Sequence, residues 1–288
     1  MNSVHLNGRY DLHTHTQASD GMNTPAENVR LAKQKGLAGL AITDHDTVSG
    51  IPEAMEAGKQ TGLDVIPGVE ISTRASEKDV HILGYFLQYE DEQLCSRLEQ
   101  LRTVRETRNE RILEKLNELG IAISMSEVIS GLGRELGPDD SVGRPHIADV
   151  LVRKGVVADL REAFDKYLAE GAAAYVSLPR VGPVEAIAWI KEAGGAAVIA
   201  HPGLYGDDDL VRHIIKEGQP SGIEVYHSDH GPGEEMRYSG MAREYGLLMT
   251  GGSDYHGVRQ GQVFHGDLGS RSVTADVLEQ LQARAGRP

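Results

Sequence analysis

The 288-residue sequence is poor in cysteine, in long apolar runs and in positive charge. Cys95 is its only cysteine, which excludes an intrachain disulfide, and the surrounding pattern DEQLCSRLEQL favours a helix position over a reactive nucleophile. The first residues, MNSVHLNGRYDL, lack the basic start and apolar stretch of a signal peptide. No run approaches the roughly 18 apolar residues of a membrane span. We therefore expect a cytoplasmic protein without a membrane partner.

Acidic residues outnumber basic ones, with 43 Asp and Glu against 29 Lys and Arg, so the formal net charge is −14. This balance argues against a protein that holds nucleic acid through an extended basic surface. An acidic protein can still act on phosphates when it has a local source of positive charge, and bound divalent ions are one such source.

Short apolar strands alternate with helices in two parts of the sequence, separated by a helical stretch. The pattern predicts a long amphipathic helix over 91–119 and no convincing strand between about 90 and 173. Counting the strands on both sides gives about seven, which is typical of a parallel α/β sheet or barrel. We expect 1–90 and 174–288 to form this sheet or barrel, and 91–173 to be an inserted helical domain.

Histidines and carboxylates stand at the ends of the predicted strands. The stretch YDLHTHT places His13 and His15 on one face of an alternating run. The other such residues are Asp20, His45 in TDHD, Glu70 in GVE, His81, His201 in AHP, His227 and His230 in YHSDH, and Asp254 and His256 in SDYH. Because the carboxyl ends of parallel strands meet at one rim, these distant residues are expected to converge.

Crowded imidazoles and carboxylates would repel one another or lie unpaired unless positive charge sat among them. The nitrogen and oxygen donors suit Zn, Mn or Fe, and their number is enough for two or three divalent ions. Taken singly, each motif has a simpler interpretation, since TDHD could cap a helix and AHP could end a strand before a turn. Their joint position at successive strand ends favours the metal centre.

The motifs DLHTHTQASDG, ITDHDT, GVEIS followed by His81, AHP and GGSDYH resemble those of the PHP (polymerase and histidinol phosphatase) family. The stretch VGRPHIADVLVRKG is similar to the branch of nucleotide phosphatases and 5′-3′ exoribonucleases. The resemblance implies an α/β fold, a distorted seven-stranded (β/α) barrel of PHP type, with a trinuclear metal centre. It also implies a small nucleotide or a short oligonucleotide as substrate.

By motif, the resemblance assigns the metal ligands to three ions. The ligands are His13, His15, Glu70 and Asp254 for the first ion, His81 and His201 with shared Glu70 for the second, and Asp20, His45 and His256 for the third. We expect a metal-bridging hydroxide to attack phosphorus, with Glu70 organising two ions. His227 or His230 could protonate the leaving oxygen, although both could equally be polar residues at a strand end.

Four residues are candidates for substrate binding. Arg144 and His146 stand in GRPH, and a guanidinium matches phosphate oxygens, although the alternative is packing at a helix start. Arg108 and Arg111 belong to a stripe of arginines that recurs every three residues and would ordinarily be solvated. The single Trp189 is expected in the core rather than as a platform for a base.

The leading hypothesis is thus a metal-dependent phosphoesterase that acts on nucleoside 5′-monophosphates, 3′,5′-bisphosphates or short RNA 5′ ends. A second hypothesis is a phosphatase for a small metabolite such as histidinol phosphate, and the segment that carries GRPH argues against it. A third is an accessory module that binds metal without catalysis, which would be expected to lack some ligands. The sequence leaves the oligomeric state and the native metal undetermined.

Overall fold

A computed structural model describes residues 8–286 of the chain. Within this range the polypeptide forms an α/β structure in which one sheet runs through most of the strands. The strands are β1 (Arg9–Asp11), β2 (Gly39–Ile42), β3 (Asp64–Ala75), β4 (Lys78–Tyr85), β5 (Ala196–Ile199), β6 (Gly222–His227), β7 (Leu248–Gly252), β8 (Val258–Arg259), β9 (Gln262–Val263) and β10 (Val273–Thr274).

The helices alternate with these strands outside the central part of the chain. The α-helices are α1 (Pro25–Gln34), α2 (Ile51–Thr61), α3 (Glu92–Glu118), α4 (Met125–Ser130), α5 (Arg144–Arg153), α6 (Leu160–Ala163), α7 (Pro183–Glu192), α8 (Asp208–Gly218), α9 (Pro232–Tyr245) and α10 (Ala275–Arg284). A π-helical turn covers Phe164–Leu168, and a 3₁₀ turn covers Pro202–Tyr205. The start of α1 follows from its local sequence: Thr24 is the N-cap residue and forms a capping box with Glu27, and Pro25 occupies the first helical position.

The sheet is nearly closed. Its order is β10-β1-β2-β3-β4-β5-β6-β7, so the strands follow chain order except for the two-residue β10 at one edge. Beyond the end of β1, the Leu12 N–H donates to the Gly251 carbonyl at 3.3 Å, and Thr14 forms a parallel bridge with Tyr255. These contacts join the first part of the sheet to the last, which confirms the barrel-like α/β architecture.

Two strands of this sheet depart from the all-parallel expectation: the two-residue β10, which is antiparallel to β1, and β4. β4 is antiparallel to both β3 and β5, and the turn between β3 and β4 holds Ser76 and Glu77 at φ of 49° and 63°. Because β4 runs in the opposite direction, the residues near its start lie at the rim where its neighbours end. His81 occupies such a position, opposite Ser72 of β3.

Where β7 approaches β1, only glycine fits. A Cβ atom added to Gly252 would lie 2.3 Å from the His13 Cβ and 2.4 Å from the His13 nitrogen. The missing side chain therefore lets the two strand ends come together beside the first histidine of the site.

The central helices have a hydrophobic cluster of their own. The end of α3 contributes Ile112 and Leu116, which pack with α5 and with residues as far along as Val176. The start of α3 instead packs on the barrel through Leu94 and Leu98. A single long helix therefore connects the two cores. Among residues 8–286, no helix combines the length and apolar character that crossing a bilayer requires.

Candidate metal centre and substrate cavity

The structure brings the nine predicted ligand residues together at one rim of the sheet. They come from the segments after β1 and β2, from β3 and β4, and from the ends or following segments of β5 and β7. The rings of His13 and His15 lie 5.2 Å apart between centroids, and both side chains are fully buried. β1 ends at Asp11, earlier than the sequence predicts, but the two imidazoles still face the same region.

Among the described residues, several buried atoms of this cluster lack a hydrogen-bond partner, and four of them approach one another: His13 Nε2, His15 Nε2, Glu70 Oε2 and Asp254 Oδ1. We call these four residues the tetrad. The His13 nitrogen lies 3.4 Å from the Glu70 oxygen and 3.3 Å from the Asp254 oxygen, and the His15 nitrogen lies 3.3 Å and 3.1 Å from them. Four ligands about 2.1 Å from a zinc-sized ion would be about 3.4 Å apart. The four nitrogen–oxygen separations are therefore of the size expected between ligands of one divalent cation.

The Glu70 carboxylate faces two groups of imidazoles. Its Oε2 belongs to the tetrad, whereas its Oε1 lies 2.8 Å from His81 Nδ1 and 3.1 Å from His201 Nε2. A carboxylate whose two oxygens face different nitrogen ligands is suited to bridging two cations.

Asp20 is the centre of a third group, 3.3 Å from His256 Nε2 and 3.8 Å from both His45 Nε2 and His15 Nδ1. The other ring nitrogen of His256 lies 2.8 Å from the Asp254 carbonyl, a contact that fixes the orientation of the ring. Such a hydrogen bond leaves Nε2 directed towards Asp20 as a potential ligand.

The electrostatics show why the cluster needs added positive charge. Burial opposes ionisation of Glu70, but the imidazoles led by His45 and His81 outweigh it and hold the pKa of this carboxyl well below its usual range. Burial likewise disfavours a charged His13, but Asp254 and other carboxylates raise its pKa well above the ordinary value. The carboxylates are thus held ionised, and either bound protons or metal ions must balance them.

A second layer of buried carboxylates supports the ligands. Glu224 lies 3.1 Å from His13 Nδ1 and accepts the His201 backbone N–H at 2.8 Å. Asp11 accepts the backbone N–H groups of Ser253 at 2.9 Å and Gly269 at 2.8 Å. Such partners fix the orientation of metal-binding imidazoles and of the loops that carry them.

Some ligand positions carry backbone strain. Asp254 has a φ of 55° and His201 a φ of 22°, and Asp46, beside His45, also has a φ of 55°. Residues other than glycine adopt such angles at a cost of about 1–3 kcal/mol each, and they do so most often at functional sites.

A cavity of about 650 Å³ opens beside the metal-ligand cluster. This volume lies within the range of about 300–1,000 Å³ that is usual for small-molecule sites. Arginines form one part of the lining, and apolar side chains form another. The arginine wall consists of Arg105, Arg108, Arg144 and Arg180.

Positive charge exceeds negative charge along the arginine wall. Arg105 pairs with Asp46, and Arg144 and Arg180 share Asp79. Within residues 8–286, by contrast, Arg108 donates only to Asn109 next to it in the chain. Burial and the neighbouring guanidiniums, led by those of Arg105 and Arg144, lower the pKa of Arg108 well below its usual value. Its Nε is buried without a partner. An anionic ligand would relieve this repulsion.

Both predicted catalytic histidines, His227 and His230, lie outside the cavity lining. Both ring nitrogens of His230 contact backbone groups, the Val225 carbonyl at 2.9 Å and the Gly203 N–H at 3.1 Å. His227 is fully buried, and its Nε2 lies 3.3 Å from Asp254 Oδ2. Neither ring is therefore free to face a substrate, and His227 instead orients a tetrad carboxylate.

Two of the predicted substrate contacts also lie outside the cavity lining. His146 Nδ1 accepts the Gly143 N–H at 3.0 Å, which makes it part of a helix cap at the start of α5. Arg111 is exposed on α3. Arg108 and Arg144, by contrast, both line the cavity.

Sequence reasoning missed several residues of the site. Arg105 and Arg180 belong to the arginine wall, Glu224 supports two ligands, and His265 lines the cavity. Glu224 could have been noticed as the one carboxylate inside the apolar strand GIEVYH. No local pattern marks His265, because it follows the irregular hairpin of β8 and β9.

Comparison with known proteins agrees with this geometry. The sequence profile of the PHP domain matches residues 11–170. A 3′,5′-nucleoside bisphosphate phosphatase from Chromobacterium violaceum is 34% identical over 289 residues, covering 96% of this chain and 98% of that protein. A 5′-3′ exoribonuclease from Escherichia coli is 35% identical over 254 residues, covering 86% of this chain and 85% of that protein.

A solved structure extends the similarity to the fold. The chain superposes with a TM-score of 0.87 on a crystal structure from Bifidobacterium adolescentis that is described as a metal-dependent phosphoesterase. The two sequences are 33% identical, and the match covers 96% of each chain.

Proposed function

Because this chain belongs to the PHP family and is a hydrolase of phosphoester bonds, we propose that its substrates are phosphate monoesters of nucleotides. The substrates proposed are nucleoside 5′-monophosphates or 3′,5′-bisphosphates. The observation that carries the proposal is the tetrad of buried atoms next to a cavity lined by the buried Arg108, whose Nε has no hydrogen-bond partner among the described residues. The tetrad suits divalent cations, and the Arg108 guanidinium suits an anion held beside them.

We assign three groups of ligands to two or three divalent ions, with Mn, Zn or Fe as the candidates. By the motifs of the PHP family, the groups are the tetrad His13, His15, Glu70 and Asp254, then His81 and His201 with Glu70, then Asp20, His45 and His256, and the contacts described above lie within these groups. Divalent ions bound there would neutralise phosphate oxygens and lower the pKa of water.

The protein's own contribution is to orient the ligands and to hold the substrate. Glu224 and His227 fix the ligand side chains through the contacts described above. Arg108 and Arg144 donate to phosphate oxygens from the arginine wall, because a guanidinium presents several N–H donors in a fixed plane. Leaving-group protonation is not assigned to His227 or His230, since neither lines the cavity.

We also propose that 91–173 acts as a helical domain that covers the barrel mouth. It supplies Arg105, Arg108 and Arg144 to the cavity, together with Leu160 and Phe164. Its separate hydrophobic cluster supports this division. A cover of this kind excludes water and selects substrates by shape.

A second candidate is removal of nucleotides from short RNA 5′ ends, which the similarity to 5′-3′ exoribonucleases favours. The same cavity would then bind the terminal nucleotide, and the rest of the strand would leave through the cavity mouth.

The test compares substrates at equal concentration in the presence of Mn²⁺. AMP, 3′-phosphoadenosine 5′-phosphate, a 5′-phosphorylated pentaribonucleotide and histidinol phosphate would be incubated with the wild-type protein, and phosphate or mononucleotide release would be measured. We expect a nucleotide to be the best substrate and Asp254→Asn to be inactive, which excludes a contaminant. Clear preference for histidinol phosphate, or no turnover with several divalent metals, would contradict the proposal.

A further inference from the structure

The cavity has a second wall, apolar in character, that the metal centre and the arginines do not use. We call it the apolar wall; its residues are Leu160, Phe164, Leu204, Val263 and Phe264. Leu204 is 51% exposed and Val263 is 42% exposed, so both present apolar surface that no other side chain covers. Exposed apolar surface inside a binding cavity is a contact surface for an apolar part of a ligand.

Two parts of the fold build this wall. Phe164 begins the π-helical turn of the helical region, and Phe264 directly follows β9 of the hairpin near the end of the chain. Their ring centroids lie 6.3 Å apart with an angle of 32° between the planes. Both rings are half-buried and line the cavity.

The apolar wall lies close to the metal ligands. The Phe264 ring contacts the His265 ring edge-on at 4.7 Å between centroids. His265 in turn lies 5.3 Å from the His256 ring and has its Nε2 3.6 Å from Asp254 Oδ2. A molecule with its phosphate at the ligand cluster can therefore reach Phe264.

We propose that Phe264, supported by Phe164, is the binding platform for the nucleobase and sets the preference for nucleotides over sugar phosphates that lack a base. This inference rests on the proposed nucleotide phosphatase function. A ligand that matches both walls has anionic phosphate at one end and a flat apolar group at the other. A nucleobase joined to ribose phosphate has this combination, and bases stack on aromatic side chains without regard to sequence.

The experiment uses pairs of substrates that differ only in the base. AMP is compared with ribose 5-phosphate, and adenosine 3′,5′-bisphosphate with ribose 3,5-bisphosphate, with the metal-loaded full-length protein. We expect Phe264→Ala to lower kcat/KM for the nucleotide by about ten- to a hundredfold, the range that loss of one base–aromatic stack gives. For the base-free partner we expect a change below about twofold.

Matched variants separate stacking from packing. Phe264→Tyr keeps the ring and should retain the preference for the nucleotide, whereas Phe264→Leu keeps apolar bulk and should lose most of it. Val258 lies on the same hairpin, is 54% exposed and is outside the cavity lining. The variant Val258→Ala should therefore leave kcat/KM unchanged for both substrates of a pair. Thermal unfolding of each variant reports whether the hairpin still packs.

The outcomes distinguish this inference from the proposed function. If the wild type hydrolyses nucleotides but Phe264→Ala slows both members of a pair equally, Phe264 is only a packing residue and the base platform is wrong. The same follows if Phe264→Leu matches the wild type. If the wild type hydrolyses no nucleotide, the proposed function fails and this inference fails with it.

Discussion

Glu224 and His13 form a buried pair beneath the metal ligands, with 3.1 Å between the carboxylate Oε1 and the ring Nδ1 and no exposed surface on either side chain. The other carboxylate oxygen accepts the backbone N–H of His201 at 2.8 Å. One residue from the middle of β6 therefore orients two ligands that are far apart in sequence, and its removal should affect metal binding without removing a ligand.

Glu224→Gln should weaken metal retention and lower kcat/KM, each by about 10- to 100-fold. A glutamine amide carries no charge and replaces one of the two carboxylate oxygens with an NH₂ donor, so it should hold His13 and the His201 backbone less firmly than the carboxylate does. Metal content after dialysis against a chelator, together with turnover of AMP, would measure the effect. Glu185→Gln, which is exposed on α7, is the matched control. Wild-type metal content in Glu224→Gln would show that this carboxylate does not orient the ligands.

Arg108→Met should stabilise the free protein and weaken substrate binding. The guanidinium is buried and forms no ion pair with a carboxylate of the described part of the chain, so replacing it should raise the unfolding free energy by about 1–3 kcal/mol. The same change should raise KM, because an anion contact is lost. Chemical denaturation and steady-state kinetics would test both parts. A less stable variant would mean that Arg108 is paired in solution.

Arg111→Met is the control for the previous experiment, since Arg111 lies three residues further along α3 and is exposed. We expect its stability and KM to match those of the wild type. An equal rise in KM for both variants would assign substrate contact to the exposed side of the helix as well.

Glu70→Gln should reduce turnover far more than Arg144→Ala. Glu70 contacts imidazoles through both oxygens, so neutralising it disturbs two groups of ligands at once. Arg144 lies on the cavity wall, 3.0 Å from Asp79, and its removal should mainly raise KM. Separate measurement of kcat and KM tests this difference. Equal and mild effects would contradict the bridging role of Glu70.

His146 should contribute to acid sensitivity. Burial, and then the positive charge of Arg259, lower its pKa from 6.5 to about 3 in the folded protein. Below pH 6.5 the unfolded chain takes up a proton that the folded protein does not. The contribution of His146 to the free energy of unfolding is therefore fully present above pH 6.5. It is lost as the pH falls towards 3, by at most about 1.4 kcal/mol per pH unit.

The variant His146→Gln isolates this contribution, because glutamine at this position can still accept the Gly143 N–H but has no proton to bind. Urea unfolding between pH 7.5 and pH 5 should show the wild type losing stability faster than the variant. Parallel losses in the two proteins would show that His146 is not the group that titrates.

The arginines of α3 show where a sequence pattern was insufficient. Arg102, Arg105, Arg108 and Arg111 recur every three residues, but each such step falls about 60° short of a full helical turn. Over the nine residues from Arg102 to Arg111, the direction in which the side chain leaves the helix axis therefore rotates by about 180°. Arg102 and Arg108 are buried and Arg111 is exposed, as this drift requires. Only the position of the helix on the barrel decides which arginines face the cavity.

The β3–β4 hairpin is a second such case. Its turn places Ser76 and Glu77 at positive φ, although neither residue type is typical of such a turn. The sequence predicted both strands but not their antiparallel pairing. The position of His81 near the start of β4 rather than at its end follows from this reversal.

By itself, the sequence determined the class of fold, the helical stretch between the two parts of the barrel and the residues that gather at the candidate metal centre. It could do so because strand and helix periods are local properties and because the motifs lie next to strand ends. The tertiary structure alone decided which nitrogen faces which oxygen, that Glu224 lies behind His13, and that the apolar wall faces the cavity. Those relationships depend on side chains more than 200 residues apart, whose packing no local pattern encodes.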